Sequence, residues 1–439
     1  MSIEQIYQIY LQYRHITTDT RQIKPNNLFF ALKGDRFDGN TYAAQALEKG
    51  ASYVFIDNPL YKLNERCVLV DDVLLTLQAL AQHHRKQLQI PIIGIAGSNG
   101  KTTTKELVLR VLASTYRTHA TLGNLNNHIG VPLTLLAIPP NCEVAIIEIG
   151  ANHPNEVAQL CQIAQPTHGL VTNIGKEHLE GFGSIEGVQK AEGELYDYLT
   201  QTQGTAFVNL DDHRVVEIAQ ATTQQITYGT QQKAFICGCV AAANPLLHIT
   251  YTAAPDTQTR HLHTQIVGHY NLLNVLAAIA IGTHLGVLAD DMQNAIETYL
   301  PANKRSQVIQ QGSNTIILDA YNANPSSMQA ALHTLAALDA PYKVAILGDM
   351  LEMGTHSLTE HQQIIAQLHQ FGFNQVVLVG SEFAKADVPN SPFLHFATAT
   401  DAQQWYAQQL FNHTYVLLKA SRGIALEKVI EVANWNKTK

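Results

Sequence analysis

The residues best suited to chemistry lie in one short loop, Gly97-Ser98-Asn99-Gly100-Lys101-Thr102-Thr103. The loop follows an apolar run at residues 90–93 and leads into a helical pattern at residues 105–112. At a strand–helix junction the backbone N–H groups converge and the helix N-terminus adds partial positive charge, which together favour phosphate. Lys101 can then reach the terminal phosphates and the Thr102 hydroxyl can bind Mg²⁺. The loop therefore predicts an ATP site with Mg²⁺ as cofactor.

This loop departs from the strict phosphate-binding pattern, because Ile95 stands where that pattern has glycine. What remains is the shorter arrangement Gly-x-x-Gly-Lys-Thr. A glycine turn followed by a chance Lys-Thr pair is the alternative interpretation. The phosphate-binding interpretation is favoured because the strand and the helix lie where the mechanism needs them.

Three polar residues lie at or after the ends of predicted strands. Glu148 and Asp319 each end an apolar run, and His178 follows another run at residues 170–174. Ligands of open α/β sheets bind beyond the carboxyl ends of the strands, so these side chains are placed to contact one. We predict Glu148 and His178 as Mg²⁺ ligands and Asp319 as an acceptor for ribose hydroxyls. A surface position for His178 and a turn or cap for Asp319 are the alternatives.

Asparagine is concentrated in two loops. The first contains Asn124, Asn126 and Asn127, and the second is Tyr321-Asn322-Ala323-Asn324-Pro325. Turn formation alone explains one such loop. Two of them in a chain that binds ATP indicate amide donors and acceptors for a polar, peptide-like or sugar-like substrate.

The elements that must position these residues fall into three regions, predicted as domains at residues 1–88, 89–304 and 305–439. The first is a small α/β unit. The second carries the phosphate loop on a mostly parallel sheet, since its continuous apolar runs are typical of strands covered on both faces. Residues 222–266 are predicted as strands with one exposed face. The third region alternates apolar runs with helical segments, as in a doubly wound, Rossmann-like sheet, and residues 301–304 are the predicted hinge before it.

Composition narrows the class of protein. The chain has 439 residues, 46% of them hydrophobic and 15% charged, with a net charge of −8, which describes a soluble globular protein without a nucleic-acid surface. No apolar run is long enough to span a bilayer, and the N-terminus lacks a secretory signal, so we expect a cytoplasmic protein. The five scattered cysteines favour reduced thiols, with Cys237 and Cys239 expected to be buried.

Taken together, these segments resemble the Mur ligases, the ATP-dependent amide-forming enzymes of peptidoglycan precursor synthesis. The resemblance covers nearly the whole chain in the correct order. It implies that the loop described above is the family's phosphate loop. It also implies that Asn271 and Asn274, in the segment Gly268-His269-Tyr270-Asn271-Leu272-Leu273-Asn274, lie near the adenine. Arg305 and Asp319 match positions that contact the nucleotide from the third domain.

Residues 123–136, 319–325 and 347–354 narrow the resemblance to one branch of the family. That branch joins D-alanyl-D-alanine to UDP-N-acetylmuramoyl-tripeptide through an acyl phosphate, in the last cytoplasmic step of a synthesis on which cell shape and division depend. The resemblance implies these two small-molecule substrates and a monomeric enzyme. The implied substrate-binding residues are Thr20, Arg21 and Gly34 for the UDP-sugar end, Asn124, Asn126, Asn127, Tyr321, Asn322 and Asn324 from the two loops, and Arg422 near the acceptor amine.

One departure from the family concerns a carbamylated lysine that helps many Mur ligases to hold a second Mg²⁺. Aligned on the segment Glu194-Leu195-Tyr196, that position is Glu192 in this chain, with Lys190 two residues earlier. The carboxylate of Glu192 can play the part of the carbamate and is slightly favoured. A modified Lys190, or a second metal held differently, remains the alternative. With Glu192 included, the implied catalytic residues are Lys101, Glu148, His178 and Glu192.

Other activities stay open at this level. A sister ligase that adds a diamino acid and a folylpolyglutamate-type ligase share the phosphate loop, although the asparagine-rich loops speak against both. A nucleotide-dependent switch or transport ATPase would hydrolyse ATP without needing a carboxylate and an amine together. A small-molecule kinase would give a phosphorylated product that survives added amines.

Overall fold

The computed structural model of the chain describes residues 1–35, 37–302, 304–387 and 391–431. Three α/β units follow one another, built on sheets of four, nine and six strands. The predicted hinge at residues 301–304 contains Asn303, which lies outside the described residues, as do the last eight residues of the third predicted domain, 432–439. The predicted α/β fold class, with three successive units, is confirmed.

The N-terminal unit has a fully parallel sheet in the order β1-β2-β5-β6. Its apolar runs form strands as predicted, and the sheet packs against the long helix that leads to the next unit. The elements are α1 (Ile3–Gln12), β1 (His15–Thr17), β2 (Asn27–Phe30), β3 (Lys33–Gly34), β4 (Phe37–Asp38), α2 (Ala43–Glu48), β5 (Tyr53–Ile56), β6 (Cys67–Leu69) and α3 (Val73–Gln87).

The central unit carries the site on a sheet in the order β15-β14-β13-β12-β11-β10-β7-β9-β8. Each pair of neighbouring strands between β13 and β8 in this order, including those of the central strand β7, is parallel. Strands β14 and β15 extend the sheet beyond β13 by antiparallel pairing. Its elements are β7 (Ile92–Ala96), α4 (Lys101–Ala113), β8 (Thr118–Ala120), α5 (Gly130–Leu136), β9 (Val144–Glu148), α6 (Glu156–Ala164), β10 (His168–Val171), α7 (Leu179–Phe182), α8 (Ile185–Thr202), β11 (Thr205–Asn209), α9 (His213–Ile218), β12 (Gln224–Gly229), β13 (Ile236–Ala243), β14 (Leu246–Ala253), β15 (Asp256–Val267), α10 (Asn271–His284) and α11 (Ala289–Glu297).

The central strand β7 is covered on both faces, as its apolar run predicts. Ile93 and Ile95 pack into the core on the side of α4 and α10, whereas Ile92 and Ala96 pack into the core on the other side. Each such buried isoleucine contributes about 1.5–3 kcal/mol relative to an exposed one. The phosphate loop therefore follows a strand that is buried along its whole length, which fixes where the loop begins.

The C-terminal unit has a six-stranded sheet in the order β16-β17-β21-β18-β19-β20, parallel except for β16. The four predicted strands are present, and the structure adds the two edge strands β16 and β20. The elements are β16 (Gln307–Gln311), β17 (Asn314–Asp319), α12 (Pro325–Ala337), β18 (Tyr342–Gly348), α13 (Ser357–Phe371), β19 (Gln375–Val379), α14 (Ser381–Ala386), β20 (Leu394–Phe396), α15 (Ala399–Tyr406) and β21 (Thr414–Lys419).

Two expectations from the sequence are wrong in detail. Strand β10 ends at Val171 rather than at Ile174, because Asn173 and Ile174 bond to loops: Asn173 O accepts from the Ser98 N–H at 2.9 Å, and the Ile174 N–H donates to Asp212 Oδ2 at 2.9 Å. Cys237 is half-buried and Cys239 is exposed. Both lie on the outward face of β13, since side chains two residues apart point the same way on a strand.

All five cysteines are free thiols. Across the described ranges, no helix combines the length and the apolar character that a membrane span requires.

Candidate active site

The phosphate loop has the backbone geometry that its glycines permit. Gly97 has φ +110° and Gly100 has φ +84°, a region that side chains disfavour. There is also no room for a side chain, since a Cβ on Gly97 would lie 2.4 Å from Thr172 Oγ1 and one on Gly100 2.5 Å from Asn274 Oδ1. Helix α4 begins at Lys101, so the N–H groups of its first turn are presented at a helix N-terminus, as predicted.

Lys101 is held at the base of the loop. Its Nζ donates to Gly97 O, to Ser98 O at 3.4 Å and to Glu177 Oε2 at 3.3 Å. Burial acts to lower the pKa of Lys101, but the carboxylates of Glu177, Glu192 and Glu148 outweigh it, and the net pKa is raised. The ammonium therefore stays charged at neutral pH, which a phosphate partner requires.

Glu192 lies behind the loop, and Lys190 does not. The Gly97 N–H donates to Glu192 Oε2 at 2.6 Å, and the Glu192 side chain is buried, whereas Lys190 is exposed on the other side of α8. Burial and the neighbouring Glu177 raise the pKa of Glu192 to about 8, although Lys101 opposes the shift. Of the two residues considered from the sequence, Glu192 is thus the one beside the phosphate loop.

Glu148 lies at the end of β9 within a set of polar partners. Thr102 Oγ1 lies 3.0 Å and 3.1 Å from its two carboxylate oxygens, and Asn126 Nδ2 donates to Oε1 at 3.0 Å. The fully buried Lys105 Nζ lies 3.8 Å from Oε2 and donates to Thr121 O at 2.6 Å. The carboxylate is therefore oriented and balanced by a buried cation.

The donors for Mg²⁺ are hard oxygens. Mg²⁺ prefers a few carboxylate or hydroxyl oxygens from the protein, completed by phosphate oxygens and water. The adjacent Thr102 hydroxyl and Glu148 carboxylate fit this pattern. In the part of the chain that the structure describes, no three His, Cys, Asp or Glu side chains form a metal cluster of their own.

His178, the other predicted metal ligand, pairs with the C-terminal unit. Its Nδ1 lies 2.7 Å from Glu352 Oε2, and this contact is the first cause of the lowered pKa of Glu352. His178 has φ +41° and lies directly before α7. The structure brings it to the same cavity as Glu148 but gives it a carboxylate partner.

The predicted adenine-contacting residues lie beside the phosphate loop. Asn271 Nδ2 donates to Val267 O at 2.7 Å, and Asn274 Nδ2 donates to Asn271 Oδ1 at 2.7 Å. Asn274 Oδ1 accepts from Thr104 Oγ1 at 3.1 Å. Both side chains are buried and interlinked, so they fix the start of α10 against Gly100.

The asparagine-rich loops have structural as well as site roles. Asn127 Oδ1 accepts from Gly130 N–H at 2.9 Å, and Asn324 caps α12 by accepting from Ser327 N–H at 2.8 Å. Asn324 Nδ2 also donates to Asn99 Oδ1 at 2.9 Å, which links the C-terminal unit to the phosphate loop. Asn124, Asn126, Asn127, Asn322 and Asn324 all line the same cavity.

The C-terminal wall of this cavity carries most of its positive charge. Lys419 Nζ donates to Asp319 Oδ2 at 2.7 Å. The guanidinium carbon of Arg305 lies 3.9 Å from the ring centre of Tyr321, and that of Arg422 lies 5.2 Å from it. Cations held over an aromatic face are attracted by its ring electrons.

These residues enclose one cavity of about 580 Å³, within the range of small-molecule sites. It is lined by the phosphate loop, both asparagine-rich loops and the C-terminal wall. Thr20, Arg21 and Gly34 lie outside it, in the N-terminal unit, where Arg21 forms an ion pair with Asp19 at 2.8 Å. The structure therefore brings together the predicted ATP, metal and acceptor residues, but not those predicted for the UDP-sugar end.

Sequence reasoning did not single out Glu177, Lys105 or Glu352. Glu177 is buried, lines the cavity and has one carboxylate oxygen without a hydrogen-bond partner. Its position in the sequence, directly before the predicted metal ligand His178, could have indicated that it belongs to the site. Lys105 and Glu352 gave none, because their importance comes from partners distant in the sequence.

Comparison with known proteins places the chain in a family. The description "Mur ligase family, catalytic domain" matches residues 12–86, "Mur ligase middle domain" residues 95–282 and "Mur ligase, glutamate ligase domain" residues 304–422.

Full-length relatives agree with these matches. The UDP-N-acetylmuramoyl-tripeptide–D-alanyl-D-alanine ligase of Bacillus subtilis is 34% identical and that of Escherichia coli K12 33%, covering 95% and 96% of this chain and 92% and 94% of theirs. The crystal structure of MurF from Acinetobacter baumannii superposes with a TM-score of 0.86 at 29% identity, covering 95% of this chain and 93% of that one. The chain therefore belongs to the Mur ligase family, in its MurF branch.

Proposed function

We propose that this enzyme joins D-alanyl-D-alanine to UDP-N-acetylmuramoyl-tripeptide, with conversion of ATP to ADP and phosphate. One observation carries the proposal: a single cavity brings a phosphate loop, carboxylates and an arginine-rich wall together. Such a cavity suits a reaction that needs a triphosphate, an acid and an amine at once.

In the proposed reaction the terminal carboxylate of the tripeptide attacks the γ-phosphorus of ATP, and ADP leaves. The resulting acyl phosphate is attacked at its carbonyl by the dipeptide amine, and inorganic phosphate leaves as the amide forms. Lys101, kept charged by its carboxylate neighbours, offsets the negative charge of the phosphates. Asn271, Asn274, Arg305 and Asp319 are the proposed further nucleotide contacts.

Mg²⁺ is the proposed cofactor, with Thr102 and Glu148 as the residues that fit it best and His178 as a further candidate ligand. When bound, it would supply Lewis-acid stabilisation of phosphate charge. Thr102 and Glu148 have hard oxygen donors next to one another. The buried ammonium of Lys105, 3.8 Å from Glu148 Oε2, compensates the negative charge of the Glu148 carboxylate.

Contacts between the central and C-terminal units support closure over the reacting groups. Lys176 Nζ lies 2.6 Å from Glu360 Oε1, and Asn324 binds Asn99 of the phosphate loop. An acyl phosphate hydrolyses in water, so a closed cavity protects it.

We propose the domain limits 1–88, 89–304 and 305–439, with Thr20, Arg21 and Gly34 in the unit that holds the UDP-sugar. We also propose a monomer acting in the cytoplasm. All five cysteines are free thiols, which suits a reducing compartment.

The test is phosphate release from ATP with UDP-N-acetylmuramoyl-tripeptide alone, with D-alanyl-D-alanine alone and with both, followed by mass analysis. Sustained release and a product of the summed peptide mass only with both substrates would support the proposal. Equal release without either substrate would indicate an ATPase or switch. A stable phosphorylated product in the presence of the dipeptide would indicate a kinase, and use of a diamino acid instead would indicate a sister ligase.

A further inference from the structure

The linker Lys304-Arg305-Ser306, which joins the central and C-terminal units, contains two strained backbone conformations. Lys304 has φ +59° and Ser306 has φ +47°, so a residue in the left-handed region lies on either side of Arg305. This region is unfavourable for most residues other than glycine, and such conformations persist only where surrounding contacts hold them. The contacts made by the linker therefore determine where Arg305 lies.

Ser306 is bound to both units at once. Its hydroxyl lies 2.8 Å from the Tyr270 hydroxyl of the central unit, and its N–H donates to Asp319 Oδ1 of the C-terminal unit at 3.3 Å. Lys304 adds an ion pair with Glu427 of the C-terminal unit. Of these three contacts, only the one with Tyr270 joins the linker to the central unit.

Tyr270 has a fixed position in the central unit. It directly precedes α10, whose first residue, Asn271, is buried. Its ring lies against Gly268, where a Cβ would be 2.5 Å from Tyr270 Cε1. Burial, and after it the charge of Asp319, raise the pKa of Tyr270 above its ordinary value, so the hydroxyl stays protonated. A fixed ring thus presents a hydrogen-bonding group to the linker.

Arg305 lies on the nucleotide side of the site. It lines the main cavity and also a smaller one of about 70 Å³, together with Thr102 and Thr103 from the first turn of α4. Among the described residues, its Nε is buried without a hydrogen-bond partner. A donor is therefore available beside a helix N-terminus that favours phosphate. In the proposed function, on which this inference rests, Arg305 contacts the nucleotide.

The two hydroxyls connect this arginine to the central unit. We propose that Tyr270 is a positioning residue for nucleotide binding: through Ser306, its hydroxyl holds the strained linker in the conformation that brings Arg305 to the phosphates. Tyr270 and Ser306 act together in this role, since removing either hydroxyl breaks the same hydrogen bond. Their effect on nucleotide affinity requires Arg305.

The experiment measures the Kd for ADP with Mg²⁺ by calorimetry on the full chain, with titration to millimolar ADP. The variants are Tyr270→Phe and Ser306→Ala, alone and together, each with Arg305 intact and with Arg305→Gln. Tyr406→Phe is the matched control. Its hydroxyl likewise makes one hydrogen bond, donating to Gln311 Oε1 at 3.0 Å, but Tyr406 lies outside the cavity.

A hydrogen bond between uncharged groups corresponds to about a 2- to 10-fold change in an equilibrium constant. Tyr270→Phe and Ser306→Ala should therefore each weaken ADP binding by that factor, and the double variant should lose no more than either single variant. With Arg305→Gln in place, Tyr270→Phe should leave the Kd nearly unchanged. Tyr406→Phe should bind ADP like the wild type, although its Tm falls with the lost hydrogen bond.

Additive losses in the double variant would overturn the proposal, because the two hydroxyls would then act separately. An equal loss from Tyr270→Phe with and without Arg305 would also overturn it, as would unchanged affinity in both single variants or in Arg305→Gln. A wild type with no measurable affinity for ADP and Mg²⁺ would instead refute the proposed nucleotide site. The two failures are thus distinguishable.

Discussion

Replacing Lys105 with Met tests whether this buried cation compensates the negative charge of Glu148 and so stabilises the fold. The Lys105 Nζ is fully buried, lies 3.8 Å from Glu148 Oε2 and 3.1 Å from Glu106 Oε1, and donates to Thr121 O. Methionine keeps the shape of the side chain and removes its charge. Glu148 would then be left as a buried carboxylate whose side-chain hydrogen-bond donors, Thr102 and Asn126, are neutral, with Lys101 as the remaining cation that interacts with it.

Removing one partner of a buried ion pair costs about 3–5 kcal/mol. Because Thr102 and Asn126 still donate hydrogen bonds to Glu148, we expect a loss at the lower end of that range, about 3 kcal/mol. For a unit of roughly 150–250 residues, about 3 kcal/mol corresponds to a fall in Tm of about 6–12 °C. Lys428→Met, at an exposed lysine of the C-terminal unit, is the matched control and should shift Tm by little.

The assay is a thermal unfolding cycle on the wild type, Lys105→Met, Glu148→Gln and the double variant. Because the double variant removes both charges, it should be more stable than the sum of the two single losses predicts, by about 2 kcal/mol or more. Additive losses, or a Tm for Lys105→Met equal to that of Lys428→Met, would refute the reasoning that the two charges compensate each other.

Two further predictions concern the phosphate loop. Gly100→Ala should raise the KM for ATP about tenfold or more, because the new Cβ clashes with Asn274 and the left-handed backbone adds about 1–2 kcal/mol of strain. The control is Gly372→Ala, which also has a positive φ but has open space around the new Cβ, and it should leave the KM for ATP unchanged. Equal KM values in the two variants would contradict this. Glu192 has a pKa raised from 4.5 to about 8 by burial, so its stabilising contribution is complete below about pH 4.5 and is lost as pH rises through 8. Glu192→Gln, which can still accept from Gly97, should therefore gain stability relative to the wild type across that range, whereas parallel pH–stability curves would show that Glu192 does not titrate there.

Structural features that produce a local pattern of residues could be predicted from the sequence. The loop ending in Lys101 lies between a buried strand and a helix because the apolar run before it and the periodic run after it are both visible in the chain. The central parallel strands are equally visible as continuous apolar runs. Edge strands such as β16 were missed, since half-buried polar strands have no strong pattern.

The sequence could not supply relations between distant residues. The pairing of Lys105 with Glu148 and of His178 with Glu352 depends on how sheets and units pack. The same is true of the two arginines against Tyr321. Residue types at strand ends indicate that a site exists, but the partner that balances each charge is known only from the fold.

The proposed reaction requires the peptide carboxylate to attack the γ-phosphate of ATP directly. The most direct measurement uses UDP-N-acetylmuramoyl-tripeptide labelled with ¹⁸O in its terminal carboxylate, with mass analysis of the phosphate released as D-alanyl-D-alanine is joined. We expect one ¹⁸O atom in each phosphate, because the attacking carboxylate oxygen stays with phosphorus when the amine displaces the phosphate from the acyl carbon. Unlabelled phosphate accompanying full amide formation would contradict it.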